Sequence, residues 1–163
     1  MFSKTCEYGL RACVFIAIGS EQGGKLGIQE IAKAIESPMY FTGKILQNLV
    51  KAKLISSAKG PNGGFYLSAD AKPIPVIRIL EVLGCDAFFK NCALGLSHCS
   101  DKHPCPIHEE FKPYREGLLE LLKRTTVQQL AAEIREGKGH ITNMDIAARE
   151  GRRRKAVSVS GKT

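Results

Sequence analysis

Three short amphipathic segments followed directly by a hairpin signal leave this chain few folds to adopt. Residues 3–19 carry Leu10, Val14, Ala17 and Ile18 at helical spacing, with Ser3 placed to cap the first turn. The stretch from Gly19 to Gly24 ends that helix. Residues 28–35 repeat the pattern, with Ile28, Ile31, Ala32 and Ile35 on one face. After a turn at Glu36-Ser-Pro-Met, Ser37 and Pro38 open a third helix that runs to about Ala52, with Phe41, Ile45, Leu46 and Leu49 inward. Leu54 to Ala58 then reads as a strand, Lys59-Gly-Pro-Asn-Gly-Gly as a turn, and Phe65 to Ser68 as the return strand. Asn62-Gly63 is a strong hairpin signal, because both residues tolerate positive φ. The expected fold is therefore mainly α with a small β-hairpin, a winged helix-turn-helix.

Such a unit places its third helix in the major groove of DNA, where polar side chains reach base edges and lysines reach phosphates. The outward candidates on that helix are Tyr40, Thr42, Lys44, Gln47 and Lys51. On the wing they are Lys59, Asn62 and Gly63, the glycine letting backbone approach a phosphate closely. Charge agrees. The 163-residue chain has a net charge of +8, and no acidic residue falls between Ser37 and Ala69. An acid-free basic stretch suits a polyanion partner, although a merely solvated basic face has the same composition. No Cys-x-x-Cys, His-Glu-x-x-His, phosphate-binding loop or nucleophile triad is present, so an enzyme is not expected.

A different chemistry follows. Cys92-Ala-Leu-Gly-Leu-Ser-His-Cys99-Ser-Asp-Lys-His-Pro-Cys105-Pro-Ile-His108 packs three cysteines and three histidines into one stretch. Gly95, Pro104 and Pro106 break any long helix there. The apolar run after Arg11 is short and lacks a clean cleavage site, so export and structural disulfides are not expected. Inert buried thiols are a second plain reading, since Cys85, Cys92 and Cys99 recur at heptad spacing. Clustered cysteines in an unexported chain more often bind metal or do redox work. The gaps between Cys92, Cys99 and Cys105 are wider than in zinc knuckles, which favours an iron–sulfur cluster over zinc. Three thiolates leave one ligand position to another residue. Cys6 and Cys13, on the first helix, read as buried packing residues.

The remainder supports this arrangement. Pro73 to Gly84 reads as a helix through Val76, Ile79, Leu80 and Leu83. A long helix begins near Glu109 and Glu110, whose charges suit its N-terminus. Leu118, Leu119, Leu121 and Leu122 crowd one side of it, and a second subunit is the simplest surface to cover them. Thr125 or Thr126 with Gln128 or Gln129 marks a capping box that restarts a helix. The expected organisation is a DNA-binding domain over 1–83, a cysteine-rich loop over 84–108, a dimerisation helix region over 109–136 and a disordered basic tail over 137–163. No run is long and apolar enough to span a membrane, and a cytoplasmic protein is expected.

Several of these stretches resemble one family. Thr5-Cys-Glu-Tyr-Gly-Leu-Arg11, Ile31-Ala, Lys44-Ile-Leu-Gln-Asn-Leu-Val-Lys and Gly60-Pro-Asn-Gly-Gly-Phe-Tyr-Leu67 look like the Rrf-two family of bacterial winged-helix regulators. The three-cysteine loop and the Thr-Thr-Val-Gln-Gln-Leu-Ala segment follow in the same order, and the likeness covers about residues 1–135. The resemblance implies a homodimer that binds a two-fold DNA operator, usually as a repressor. It also implies an iron–sulfur cluster, [2Fe–2S] or [4Fe–4S], held by Cys92, Cys99 and Cys105. The fourth ligand differs between members. His108 matches the cluster-assembly type, and Glu7, supplied by the partner subunit, matches the nitric-oxide-sensitive type. A member that governs cysteine metabolism binds no cluster, so a regulator acting through thiols or zinc is the alternative. The first cysteine gap here is six residues where the cluster-assembly type has five.

Overall fold

The computed structural model describes residues 2–21 and 23–142. Its elements run α1 Lys4–Ser20, α2 Ile28–Ala34, α3 Met39–Lys51, β1 Ser56–Ala58, β2 Gly64–Tyr66, α4 Val76–Val82, α5 Ala87–Lys90, α6 His108–Arg124 and α7 Val127–Arg135. This is the expected winged helix with a long helix after it. α1 is the centre of the molecule. Its apolar residues are not confined to one stripe, so it is buried on several sides, by Cys6, Gly9, Ala12, Cys13, Val14, Ile16 and Ala17. α2, α3, α4, β2 and α7 all pack against it. A Cβ at Gly9 would press on the tip of the Leu83 side chain, which would have to shift. Of the four residues at helical spacing, Val14 and Ala17 are buried and Leu10 and Ile18 half-buried.

The hairpin pairs Ser56 with Tyr66, Ser57 with Phe65 and Ala58 with Gly64. Asn62-Gly63 is therefore not a two-residue connection. The loop spans 59–63, closed by the Gly63 N–H donating to Gly60 O at 2.9 Å, with Pro61 and Asn62 between. A contact that sequence did not signal anchors the wing. Leu26 and Phe65 exchange backbone hydrogen bonds of 3.0 and 2.9 Å, tying β2 to the loop after α1.

α6 and α7 return onto the same chain. Leu118, Leu119 and Leu122 pack into a second apolar cluster with Cys6, Val76, Ile77, Leu80 and Phe89. Of the four crowded leucines, Leu121 is the exposed one. Most of that surface is thus covered within one chain. Thr126 and Gln129 form the capping box of α7, and Val127 and Ala131 enter the main core. Residues 137–142, expected to begin a disordered tail, instead pack back, with the Arg11 Nε donating to Ile141 O at 3.1 Å and Thr142 buried. The basic run of the expected tail lies outside the described residues. Among the described residues no helix is long and apolar enough to cross a membrane.

Candidate metal centre and nucleic-acid interface

The loop between α5 and α6 has little regular structure, only short turns and a bridge between Ser100 and His103. It nevertheless brings the three predicted cysteines together. The sulfurs of Cys92, Cys99 and Cys105 all lie within 4.8 Å of one another. Cys92 Sγ and Cys105 Sγ are 3.6 Å apart. His108, the first residue of α6, is buried and points its Nδ1 at Cys99 Sγ, 3.2 Å away. Its Nε2 meets Asp101 Oδ1 at 2.8 Å, and Asp101 takes both carboxylate contacts from Lys112 Nζ at 2.8 Å. This carboxylate–imidazole pair holds the ring so that Nδ1 faces the sulfurs, the device that orients histidine ligands at metal sites. Asp101 and Lys112 were not singled out from sequence. An Asp two residues past a cysteine is commonplace, and only the folding of the loop brings it to His108.

Electrostatics prepares the cysteines unequally. Backbone N–H groups of Leu96 and then Leu94 stabilise the Cys92 thiolate against desolvation and bring its pKa down to about 7. Cys99 moves the other way. The Cys105 N–H favours its thiolate, but desolvation and the adjacent Cys105 and Cys92 sulfurs outweigh it. The Lys112 ammonium, and then His108, hold Asp101 below the usual carboxylate range. Three soft sulfurs are donors suited to a thiolate-bound iron–sulfur cluster or to zinc, and the His108 imidazole lies beside one of them, Cys99. The cavity between them, about 10 Å³, is closed by Ile107, Phe111 and Arg115. Residues 93–98, between Cys92 and Cys99, are exposed. Glu7 stands apart from this cradle. It sits on the first turn of α1, 41% exposed and paired with Lys4 at 2.6 Å.

The second candidate surface is the outer face of α3. Tyr40, Lys44, Gln47 and Lys51 are exposed, with Lys44 Nζ 4.5 Å from the Tyr40 ring centre. Asn48 joins them at helical spacing and was missed, although its i, i+4 relation to Lys44 was there to read. Thr42 is a correction. It is 0% exposed, and its Oγ1 donates to Pro38 O at 3.2 Å. It shares the inner stripe with Ile45, Leu46 and Leu49, so it packs the helix instead of facing outward. Lys59 and Asn62 stand exposed at the wing tip, and Gly63 is half-buried beneath them.

The comparisons with known proteins agree with this architecture. The sequence model of Rrf2, described as an iron-dependent transcriptional regulator, matches residues 2–133. A protein of Aquifex aeolicus that carries the name of an HTH-type transcriptional regulator is 32% identical over 133 residues, covering 80% of this chain and 90% of its own. The HTH-type transcriptional regulator IscR of Salmonella paratyphi B is 24% identical over 155 residues, covering 94% and 93%. Among solved structures, CymR (YrzC), the global cysteine regulator of B. subtilis, superposes with a TM-score of 0.65 at 22% identity, covering 81% of this chain and 96% of its own.

Proposed function

This chain belongs to the Rrf2 family of iron-dependent transcriptional regulators, and on that premise we propose that it is a DNA-binding repressor that reads cellular iron–sulfur or redox status through the Cys92–Cys99–Cys105 cradle. The observation that carries the reading is the convergence of three sulfurs within 4.8 Å of one another, with His108, oriented by Asp101, 3.2 Å from one of them, Cys99. A bound iron–sulfur cluster would supply one-electron chemistry and a reactive target for oxidants. Cys92, Cys99 and Cys105 would hold it as thiolates, with His108 as the fourth ligand. Glu7 of a partner subunit is the competing fourth ligand, and the Asp101 contact favours His108.

The geometry suggests how the cradle controls DNA binding. His108 opens α6, so whatever fixes or frees its imidazole also fixes or frees the N-terminus of that helix. α6 leans on α4, and α4 packs against α1 and α3. Exposed Ile107, Tyr114 and Leu121 around α6 offer an apolar face to a second subunit. Two recognition helices in such a homodimer must sit about 34 Å apart to meet successive major grooves, so a small rotation at α6 is enough to lower affinity. Tyr40, Lys44, Gln47, Asn48 and Lys51 would enter the groove, and Lys59, Asn62 and Gly63 would meet the flanking backbone.

One observation favours a second reading. Tetrahedral zinc, with Zn–S bonds of about 2.3 Å, places its sulfurs about 3.8 Å apart. The Cys92–Cys105 separation of 3.6 Å is close to that. A single zinc ion in a Cys3His site would make this a thiol- or zinc-dependent regulator on the same scaffold. One sample separates the two: protein purified without oxygen, with its visible spectrum recorded and iron, sulfide and zinc assayed. Visible bands with matched iron and sulfide support the cluster. A colourless protein with stoichiometric zinc replaces it with the second reading. In a coloured protein, a spectrum changed by His108→Ala and unchanged by Glu7→Ala assigns the fourth ligand to His108, and the reverse assigns it to Glu7.

A further inference from the structure

Two cysteines outside the cradle are joined. Cys6, on the first turn of α1, is disulfide-bonded to Cys85, 79 positions later in sequence, with Cα atoms 6.2 Å apart. Cys6 is buried, as expected, but the expectation that the chain holds no disulfide is overturned. Both backbones are firmly placed. Cys6 follows the Ser3 cap, and Cys85 follows Gly84, whose φ of +68° ends α4, while the Cys85 N–H donates to Leu80 O at 2.7 Å. Cys6 is 1% exposed and lies in the second apolar cluster, whereas Cys85 is half-buried at its edge. The Ser3 hydroxyl touches both sulfurs, 2.9 Å from Cys6 and 3.7 Å from Cys85. Cys85 is thus the more open of the two, Cys6 is shielded behind it, and the Ser3 hydroxyl lies against both sulfurs.

We propose that Cys6 and Cys85 form a reversible thiol–disulfide site, separate from the three-cysteine cradle, that takes peroxides as its oxidant. Cys85, the accessible thiolate, attacks one peroxide oxygen; an S–O bond forms, the O–O bond breaks and hydroxide leaves as water after taking a proton. The Cys6 sulfur then attacks the Cys85 sulfur; the S–S bond forms, the S–O bond breaks and a second water leaves. Two thiols lose two electrons and two protons, and hydrogen peroxide becomes two waters. Small dithiols return the pair to the reduced state by exchange.

The position makes the site consequential. The crosslink closes a loop containing α2, α3 and the wing, and it fastens the first turn of α1 to the base of the cysteine loop. Oxidation therefore fixes α1 against α4 from one side, while the cradle acts through α6 on the other. The consequence for transcription rests on the function proposed above; the thiol chemistry does not.

The test uses full-length protein, reduced with dithiothreitol, desalted and treated with hydrogen peroxide. Peptide mapping is expected to find a Cys6–Cys85 linkage that dithiothreitol removes under native conditions. The oxidised protein is expected to melt about 5–10 °C higher than the reduced one. Cys85→Ser, at a half-buried position, should fold and lose both effects. Cys99→Ala, which disables the cradle, should retain both, so failure of the metal reading leaves this result standing. Full alkylation of both cysteines after peroxide overturns the proposal. A linkage that native dithiothreitol does not reduce also overturns it, as does an unchanged melting shift in Cys85→Ser.

Discussion

The winged domain and the cysteine loop are held in place by different forces. Around α1, position is set by apolar burial: Ile16, Ile31, Leu46, Leu49 and Ile79 are fully enclosed, and each is fixed by neighbours from several elements. Between Cys92 and His108 almost nothing apolar is buried. Thiols, an imidazole, a carboxylate and an ammonium hold that loop to itself. A core defined by burial is indifferent to small ligands, because its contacts are already complete. A loop defined by ligand-type side chains reports directly on what those side chains bind. The division suits the sensor proposed above, in which a DNA-reading surface would persist while the sensing segment changes.

The strongest test of this contrast lies in the core. Ile16→Ala is expected to destabilise the fold by about 3–4 kcal/mol, through lost burial and the cavity left behind. Urea denaturation measures it. Cys99→Ala should shift the same curve for metal-free protein by less than about 1 kcal/mol, since its sulfur lies at an exposed loop and not in a packed layer. A comparable loss from both substitutions would erase the contrast.

Within the loop, Asp101→Asn removes the carboxylate that orients His108. Metal affinity is expected to fall about 10–100-fold, with the melting curve of metal-free protein little changed. Competition with a chelator reads the first effect. An unchanged affinity would mean that His108 is not a ligand or needs no orienting partner.

On the DNA face, Lys44→Ala should weaken duplex binding by about 1 kcal/mol and lower the salt slope by roughly one counterion, leaving stability intact. Fluorescence anisotropy across a salt series gives both numbers. Thr42→Ala should behave in the opposite way, lowering stability with no change in salt slope, because its side chain is enclosed within the core.

A last contrast concerns Cys13, whose effect on stability shows only above pH 9. Burial pushes its thiol up to about 12. The folded state keeps the proton to higher pH than the unfolded chain, whose thiol ionises near 9. Its contribution to stability is therefore whole below pH 9 and is lost as pH rises from about 9 toward 12. Native protein at pH 8 should leave Cys13 unalkylated while Cys92 reacts, and mapping of iodoacetamide-labelled peptides checks this.

Much of this architecture was readable in advance. Helical spacing located α1, α2 and α3, and the Thr126–Gln129 pair located the start of α7, because caps and apolar periodicity are local properties of a few neighbouring residues. The same logic failed where two faces competed for one helix. Thr42 is polar, yet it lies in register with Ile45, Leu46 and Leu49, and packing decided its side. α1 was read as having one apolar face, whereas the surrounding elements bury it from several directions.

By itself, the sequence determined the order of the helices other than α5, the hairpin, the basic acid-free stretch and the clustering of Cys92, Cys99 and Cys105 in one breaker-rich loop. Those follow from residue types at short range. Tertiary structure alone decided that Asp101 and Lys112 back His108, that Leu26 anchors the wing, that the leucines of α6 fold onto their own chain, and that Cys6 meets Cys85. Each of these is a contact between side chains or strands whose meeting is set by packing of the whole chain, a relation that no local pattern encodes.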